Sequence, residues 1–307
     1  MSGSCPSEHA TKLLDLATEI VLRPAFTDES LDRYKRDLPL TLLLQREDPA
    51  FTAREIFAKA VYDAHPGSRV ASDTTSLDGI TRERVVAFHR AHYAPDHAVL
   101  AVDGDVSPFG AKFYIGQKLG DWKRVDAEAP AVADPAPPEQ PRILLIGRPG
   151  SEPTALIIGA QAVSRTSDDY DALNVMNAVA GGTLVAPAYA GEWYLEAKAS
   201  PDSMEPTLQE LLQKIRSLRD ERVEDDALSA AKRAIVDAFR RSLGAPEALA
   251  GYLAAEWTHK LPAGYWDTFV ARVEGVTAEQ VQAAAQKYLA ADRLQIVVAG
   301  SEPAQRD

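Results

Sequence analysis

The stretch Gly79-Ile80-Thr81-Arg82-Glu83-Arg84-Val85 returns late in the chain as Gly275-Val276-Thr277-Ala278-Glu279-Gln280-Val281. Residues downstream keep the same spacing: Asp96 pairs with Asp292, Val102 with Val298 and Gly104 with Gly300. Upstream, Asp28, Leu31, Lys35 and Arg36 correspond to Asp225, Leu228, Lys232 and Arg233 after a one-residue slip. Blocks that recur in order at nearly one offset predict an internal duplication. In each copy a threonine suited to cap a helix precedes an apolar run ending at glycine, a helix followed by a strand.

A proline-rich stretch divides the copies. Pro130, Pro135, Pro137, Pro138 and Pro141 stand among Ala, Asp and Glu, a composition that continues neither a helix nor a ladder. The expected organisation is an incomplete N-terminal half over residues 1–125, a linker over 126–141 and a C-terminal half over 142–307. Helical stripes read at Leu13, Leu16 and Ile20, at Leu208, Leu211, Leu212, Ile215 and Leu218, and at Leu228, Ala231, Ile235 and Phe239. Short apolar runs at Val99–Val102, Ile143–Ile146, Ala155–Ile158, Trp193–Ala197 and Leu294–Val298 read as strands. The predicted class is α+β: two homologous halves, each an antiparallel-rich sheet packed with helices, the first incomplete.

Charge narrows the partners. With 33 basic against 45 acidic residues and a net charge of −12, the chain offers no general attraction to nucleic acid or anionic lipid. The lone cysteine, Cys5, excludes an internal disulfide and a Cys-rich zinc site. No signal peptide or run of eighteen apolar residues is present, which gives a cytoplasmic expectation for the chain as written, or a periplasmic or secreted one if its start is incomplete.

Several residues invite a sharper assignment than their surroundings support. His89 and His92 share a stripe with Val85 and Phe88, and their repeat partners are Ala285 and Tyr288, so packing is the better reading. Ser151 lacks the Gly-x-Ser-x-Gly elbow of a serine hydrolase. Gly181-Gly182 has no Lys-Ser/Thr pair after it and reads as a helix C-terminal turn. Asp168 and Asp169, like Asp225 and Asp226, suit helix starts. Trp193, Trp257 and Trp266 are assigned to packing.

His65-Pro66-Gly67, Tyr93-Ala94-Pro95-Asp96 and the run Ala98–Asp105 in the first half resemble the insulinase, pitrilysin and mitochondrial processing peptidase family of zinc peptidases. The second half continues the likeness with Gly150-Ser151-Glu152, Ile157-Ile158-Gly159, Asp168–Leu173, Met176-Asn177 and Gly181-Gly182. The resemblance implies two homologous α+β halves and a zinc site built on H-x-x-E-H, in which the glutamate activates metal-bound water. This chain has no H-x-x-E-H among His9, His65, His89, His92, His97 and His259. Met1 to Ser7 resembles the strand after the family's zinc helix, which places the metal-bearing segment before residue 1. The family's acidic positions after Pro24-Ala25-Phe26 fall at Tyr34 and Thr41, with Asp37 the nearest carboxylate and Pro39 expected to disturb the helix. The Arg/Tyr pair expected after Gly-Gly is also missing, since Tyr189 and Tyr194 are no adequate substitutes and no arginine lies between Arg165 and Arg216.

No catalytic, cofactor-binding or metal-binding residue is therefore assigned, and no cofactor is expected. The resemblance implies a non-catalytic structural or regulatory subunit that binds a zinc-bearing sibling, self-associates or holds an extended peptide, its unfinished sheet edge completed by strand addition. The alternatives are a zinc metalloendopeptidase lacking its metal-binding segment and a stand-alone peptide-binding module.

Overall fold

The computed structural model describes residues 1–125, 132–148, 150 and 152–301. Part of the expected linker, residues 126–131, and Ser151 lie outside the described residues, while Val132–Pro141 forms no helix or strand. The helices are α1 (Ala10–Leu22), α2 (Asp28–Gln45), α3 (Pro49–Tyr62), α4 (Arg82–His92), α5 (Pro108–Leu119), α6 (Tyr170–Ala180), α7 (Met204–Asp220), α8 (Asp225–Ser242), α9 (Pro246–Thr258), α10 (Phe269–Gly275) and α11 (Ala278–Tyr288). The strands are β1 (Arg142–Gly147), β2 (Thr154–Gln161), β3 (Thr183–Val185), β4 (Glu192–Ala199) and β5 (Gln295–Gly300). The α+β class read from the sequence is the observed one.

The chain forms two compact units. One gathers Met1–Pro39, Asp73–Ala131 and Phe239–Ala263, the other Leu40–Ser72, Val132–Ala238 and Gly264–Asp307. All described strands lie in the second unit and make one sheet of order β1-β5-β2-β4-β3. The β1–β5 pair is parallel, and the β5–β2, β2–β4 and β4–β3 pairs are antiparallel.

Burial on both faces explains the continuous apolar reading of β2, whose residues from Thr154 to Ala160 are all buried. On one face lies α3, whose Ala53, Phe57, Ala58, Val61 and Tyr62 recur at helical spacing and pack on Ala155, Ile157, Val297 and Ala299. Full burial of side chains such as Phe57 and Val61 contributes about 1.5–3 kcal/mol each. On the other face α7 packs on β2 and β4, and α11 packs on α6 and α7.

Helix ends follow the local chemistry. Thr81 accepts from the Arg84 amide at 3.3 Å, and Thr277 accepts from the Gln280 amide at 3.2 Å. At Thr277 the Gln280 Oε1 also accepts from the Thr277 amide, closing a capping box. Gly181 ends α6 with φ of 67°, a left-handed conformation that suits glycine. Asp169 stands at the start of α6 as expected; its side chain makes no cap bond and accepts from Lys287 Nζ and the Tyr288 hydroxyl, both at 2.6 Å.

Pro39 disturbs α2 only through the one helical bond its missing N–H removes, and the helix runs on to Gln45. One expectation needs revision. Val99–Val102 forms no ladder among the described residues. An apolar β-branched run gives strand propensity, but a strand also needs a partner for its amides, and none of the described strands supplies one.

Candidate functional site

The residues proposed or rejected on sequence grounds do not converge. Tyr34 and Thr41 are exposed on α2. His89 is engaged: its Nε2 meets the Val21 carbonyl at 2.8 Å, its ring stacks on Tyr93 at 4.7 Å, and Phe26 lies edge-on at 5.5 Å. His92 packs on Phe88 at 4.4 Å. His89 is half-buried, whereas His92 is exposed beside an exposed Phe88. Trp193 is fully buried and its Nε1 donates to Asn177 Oδ1 at 3.0 Å. Trp266 packs against Tyr265 and Phe269, whereas Trp257 is about half exposed.

The most polar buried feature lies between α3 and β4. Arg54 grips the Glu192 carboxylate with both guanidinium nitrogens. The same guanidinium stands 4.9 Å from the Tyr194 ring centre and 5.8 Å from that of Phe57. Burial pushes the Glu192 carboxyl up, and Arg54 opposes that shift. Tyr62, also buried, has its hydroxyl pushed well above the usual phenol range by desolvation and then by the Glu192 charge. Tyr189 is raised for the same two reasons. The Glu192 carboxylate, at 1% exposure, is shielded from solvent.

The cluster also fastens an irregular segment. His65 Nδ1 accepts from the Gly67 amide at 3.0 Å, which leaves Nε2–H to donate to the Ala133 carbonyl at 2.9 Å. Asp134 Oδ1 accepts from the Ala190 amide at 2.7 Å, and the Pro135 carbonyl accepts from Gln161 Nε2 at 3.0 Å. The Tyr189 ring lies 4.6 Å from that of His65. Sequence reasoning missed Arg54 and Glu192. Their only sequence signal is a charge set inside an apolar pattern, between Ala53 and Phe57 and directly before Trp193–Leu195.

The donors do not suit the zinc that the family resemblance implies. H-x-x-E-H is absent from the sequence, and among the described residues no three of His, Cys, Asp and Glu converge. No described helix is long and apolar enough to cross a membrane.

The first unit presents a different feature. Val99, Leu100 and Val102 are exposed, as are Leu16 and Ile20 on α1, Phe88 on α4, and Phe109 and Phe113 on α5. The corresponding positions of α11 are filled: Val281, Ala284 and Ala285 are buried, whereas α4 has no buried residue.

Comparison with known proteins places this fold. Residues 79–190 match the family model of the peptidase M16 inactive domain. The crystal structure of a peptidase M16 inactive domain from Pseudomonas fluorescens superposes with a TM-score of 0.88 at 25% identity, covering 98% of this chain and 77% of that one. A protease from Helicobacter pylori shares the fold with a TM-score of 0.88 at 14% identity, over 96% of this chain and 78% of that one. Two uncharacterized zinc proteases, from Streptomyces coelicolor and Mycobacterium leprae, are 24% and 27% identical over 55% and 56% of this chain. The matches span only 38% and 39% of those relatives. The resemblance read from the sequence is thereby supported: residues 79–190 are similar to the peptidase M16 inactive domain, and the fold is that of M16-like peptidase structures.

Proposed function

We propose that this chain is a non-catalytic M16-type subunit that works against another polypeptide, a zinc-bearing sibling in the first instance. The observation that carries the reading is the open apolar surface of the first unit, with the strand-like but ladderless run Val99–Val102. Side chains such as Phe109, 83% exposed, and Phe113 gain about 1.5–3 kcal/mol each if a partner buries them. Unpaired amides in an apolar run are a template for strand addition.

The internal repeat read from the sequence supports it. Helices α2 and α8 are both 18 residues long, and α4 and α11 both 11. The helices following the longer pair open on Pro49 and Pro246. No described strand lies in the first unit, so α1, α4 and α5 lack the sheet layer on which α3 packs in the second unit.

The decisive experiment mixes the chain with a zinc-bearing M16 homologue and reads mass by light scattering, zinc by atomic absorption and cleavage of unfolded peptides. The expected result is a defined hetero-oligomer, with zinc and cleavage absent from this chain alone. Stoichiometric zinc and chelator-sensitive cleavage by the isolated chain would instead establish a metallopeptidase, the reading that the relatives' names favour.

A further inference from the structure

The outer edge of β1 is unpaired among the described residues. In the parallel β1–β5 ladder the Arg142 amide donates to the Leu294 carbonyl and the Arg148 amide to that of Gly300, so even-numbered residues face β5. The N–H and C=O groups of Ile143, Leu145 and Gly147 therefore point outward. Leu144 and Ile146 pack toward α3, while Ile143 and Leu145, 64% and 75% exposed, stand on the opposite face.

That face borders a groove of about 470 Å³ against α7. Its floor is apolar: Ile143, Leu212, Ile215, Leu294 and Ile296. Its rim is basic, with Arg142, Arg216 and Arg219 against one acid, Asp220. The Nε of Arg219 is buried with no hydrogen-bond partner among the described residues. In a chain of net charge −12, three arginines around an open apolar strand edge are a local reversal of sign.

We propose that the outer edge of β1 and the groove beside α7 bind an extended segment of another protein, apolar at alternate positions and flanked by carboxylates. The main chain of Ile143, Leu145 and Gly147 supplies the ladder, the floor takes every second side chain, and the arginines receive the flanking charges. A second copy of this chain fits less well: pairing centred on Leu145 sets Arg142 opposite Arg148 of the other copy. The proposal rests on the reading of the chain as a non-catalytic binding protein and names a ligand class for its second unit.

The test uses the full chain and two fluorescein-labelled peptides of alternating Leu and Ser, one flanked by glutamates and one by lysines, read by anisotropy. The glutamate peptide should bind about tenfold more tightly, an advantage that shrinks with added salt. Leu145→Pro removes only an outward amide and crowds the edge, so it should abolish binding while leaving the β1–β5 ladder intact. Arg216→Glu, on the exposed side of α7, should weaken the glutamate peptide and not the lysine one; it decides the matter if Leu145→Pro melts early. Equal binding of both peptides, no binding of either, or unchanged binding by a folded Leu145→Pro variant would overturn the proposal. Sibling assembly, measured separately, would survive any of those results, so failure of the groove and failure of the subunit reading are distinguishable.

Discussion

Arg54 on α3 closes over Glu192, the first residue of β4, and the two share a site in which the carboxylate is 1% exposed. The pair couples a helix from the early part of the chain to a strand 138 residues further on. Removing one partner leaves a buried charge without compensation. Arg54→Ala should cost about 3–5 kcal/mol in a urea unfolding curve, whereas Arg54→Met combined with Glu192→Leu should lie near the parent.

The same pair sets a pH dependence. Burial raises the Glu192 carboxyl above its ordinary value of 4.5, so the folded state binds the proton more tightly than the unfolded chain. Its contribution is complete below the unfolded value and declines as pH rises through the folded one. Without Arg54 to oppose the shift, the decline should deepen. Melting temperatures of Arg54→Ala should fall more steeply than those of the parent as pH rises above about 4.5, and Glu192→Gln in that background should flatten the slope.

Asp169 has the opposite sign. Lys287 and then Tyr288 hold its carboxyl below the ordinary 3.8, so its contribution is present above that value and lost as pH falls through the lower, folded one. More than a third of the side chain is exposed, which screens the pair. Asp169→Asn should therefore cost about 1 kcal/mol or less at neutral pH, with the difference from the parent vanishing in acid.

Ala155–Ile158 was legible as a strand because burial on both faces leaves an uninterrupted apolar run, Ile143–Ile146 carries such a run with Ile143 and Leu145 exposed, and Thr81, Thr277 and Gly181 were legible as helix ends because capping is local chemistry. Val99–Val102 carries the same local signature without a ladder, since pairing depends on a second segment that propensity does not encode. Arg54 and Glu192 meet only through the packing of α3 on the sheet, and the rim arginines come from β1 and α7. Nothing periodic in the sequence joins those positions. Absence of H-x-x-E-H, by contrast, was readable at once, because that chemistry sits on a single helix.

Gly159 gives a strict packing prediction. It lies on β2 opposite Tyr194, and an added Cβ would run into the Trp193 carbonyl oxygen and come within 2.6 Å of the Tyr194 Cβ. These neighbours are backbone and a short branch point, so no flexible tip can swing aside. β4 would have to shift bodily, and it carries both Glu192 under Arg54 and Trp193 bonded to Asn177. Gly159→Ala should cost about 3 kcal/mol in chemical denaturation, and amide exchange should quicken along β2 and β4. Gly251→Ala, on α9 with nothing within 4 Å of the added carbon, should be neutral or slightly stabilising. Equal melting of the two variants would show that β4 is not held against β2 as tightly as this contact requires.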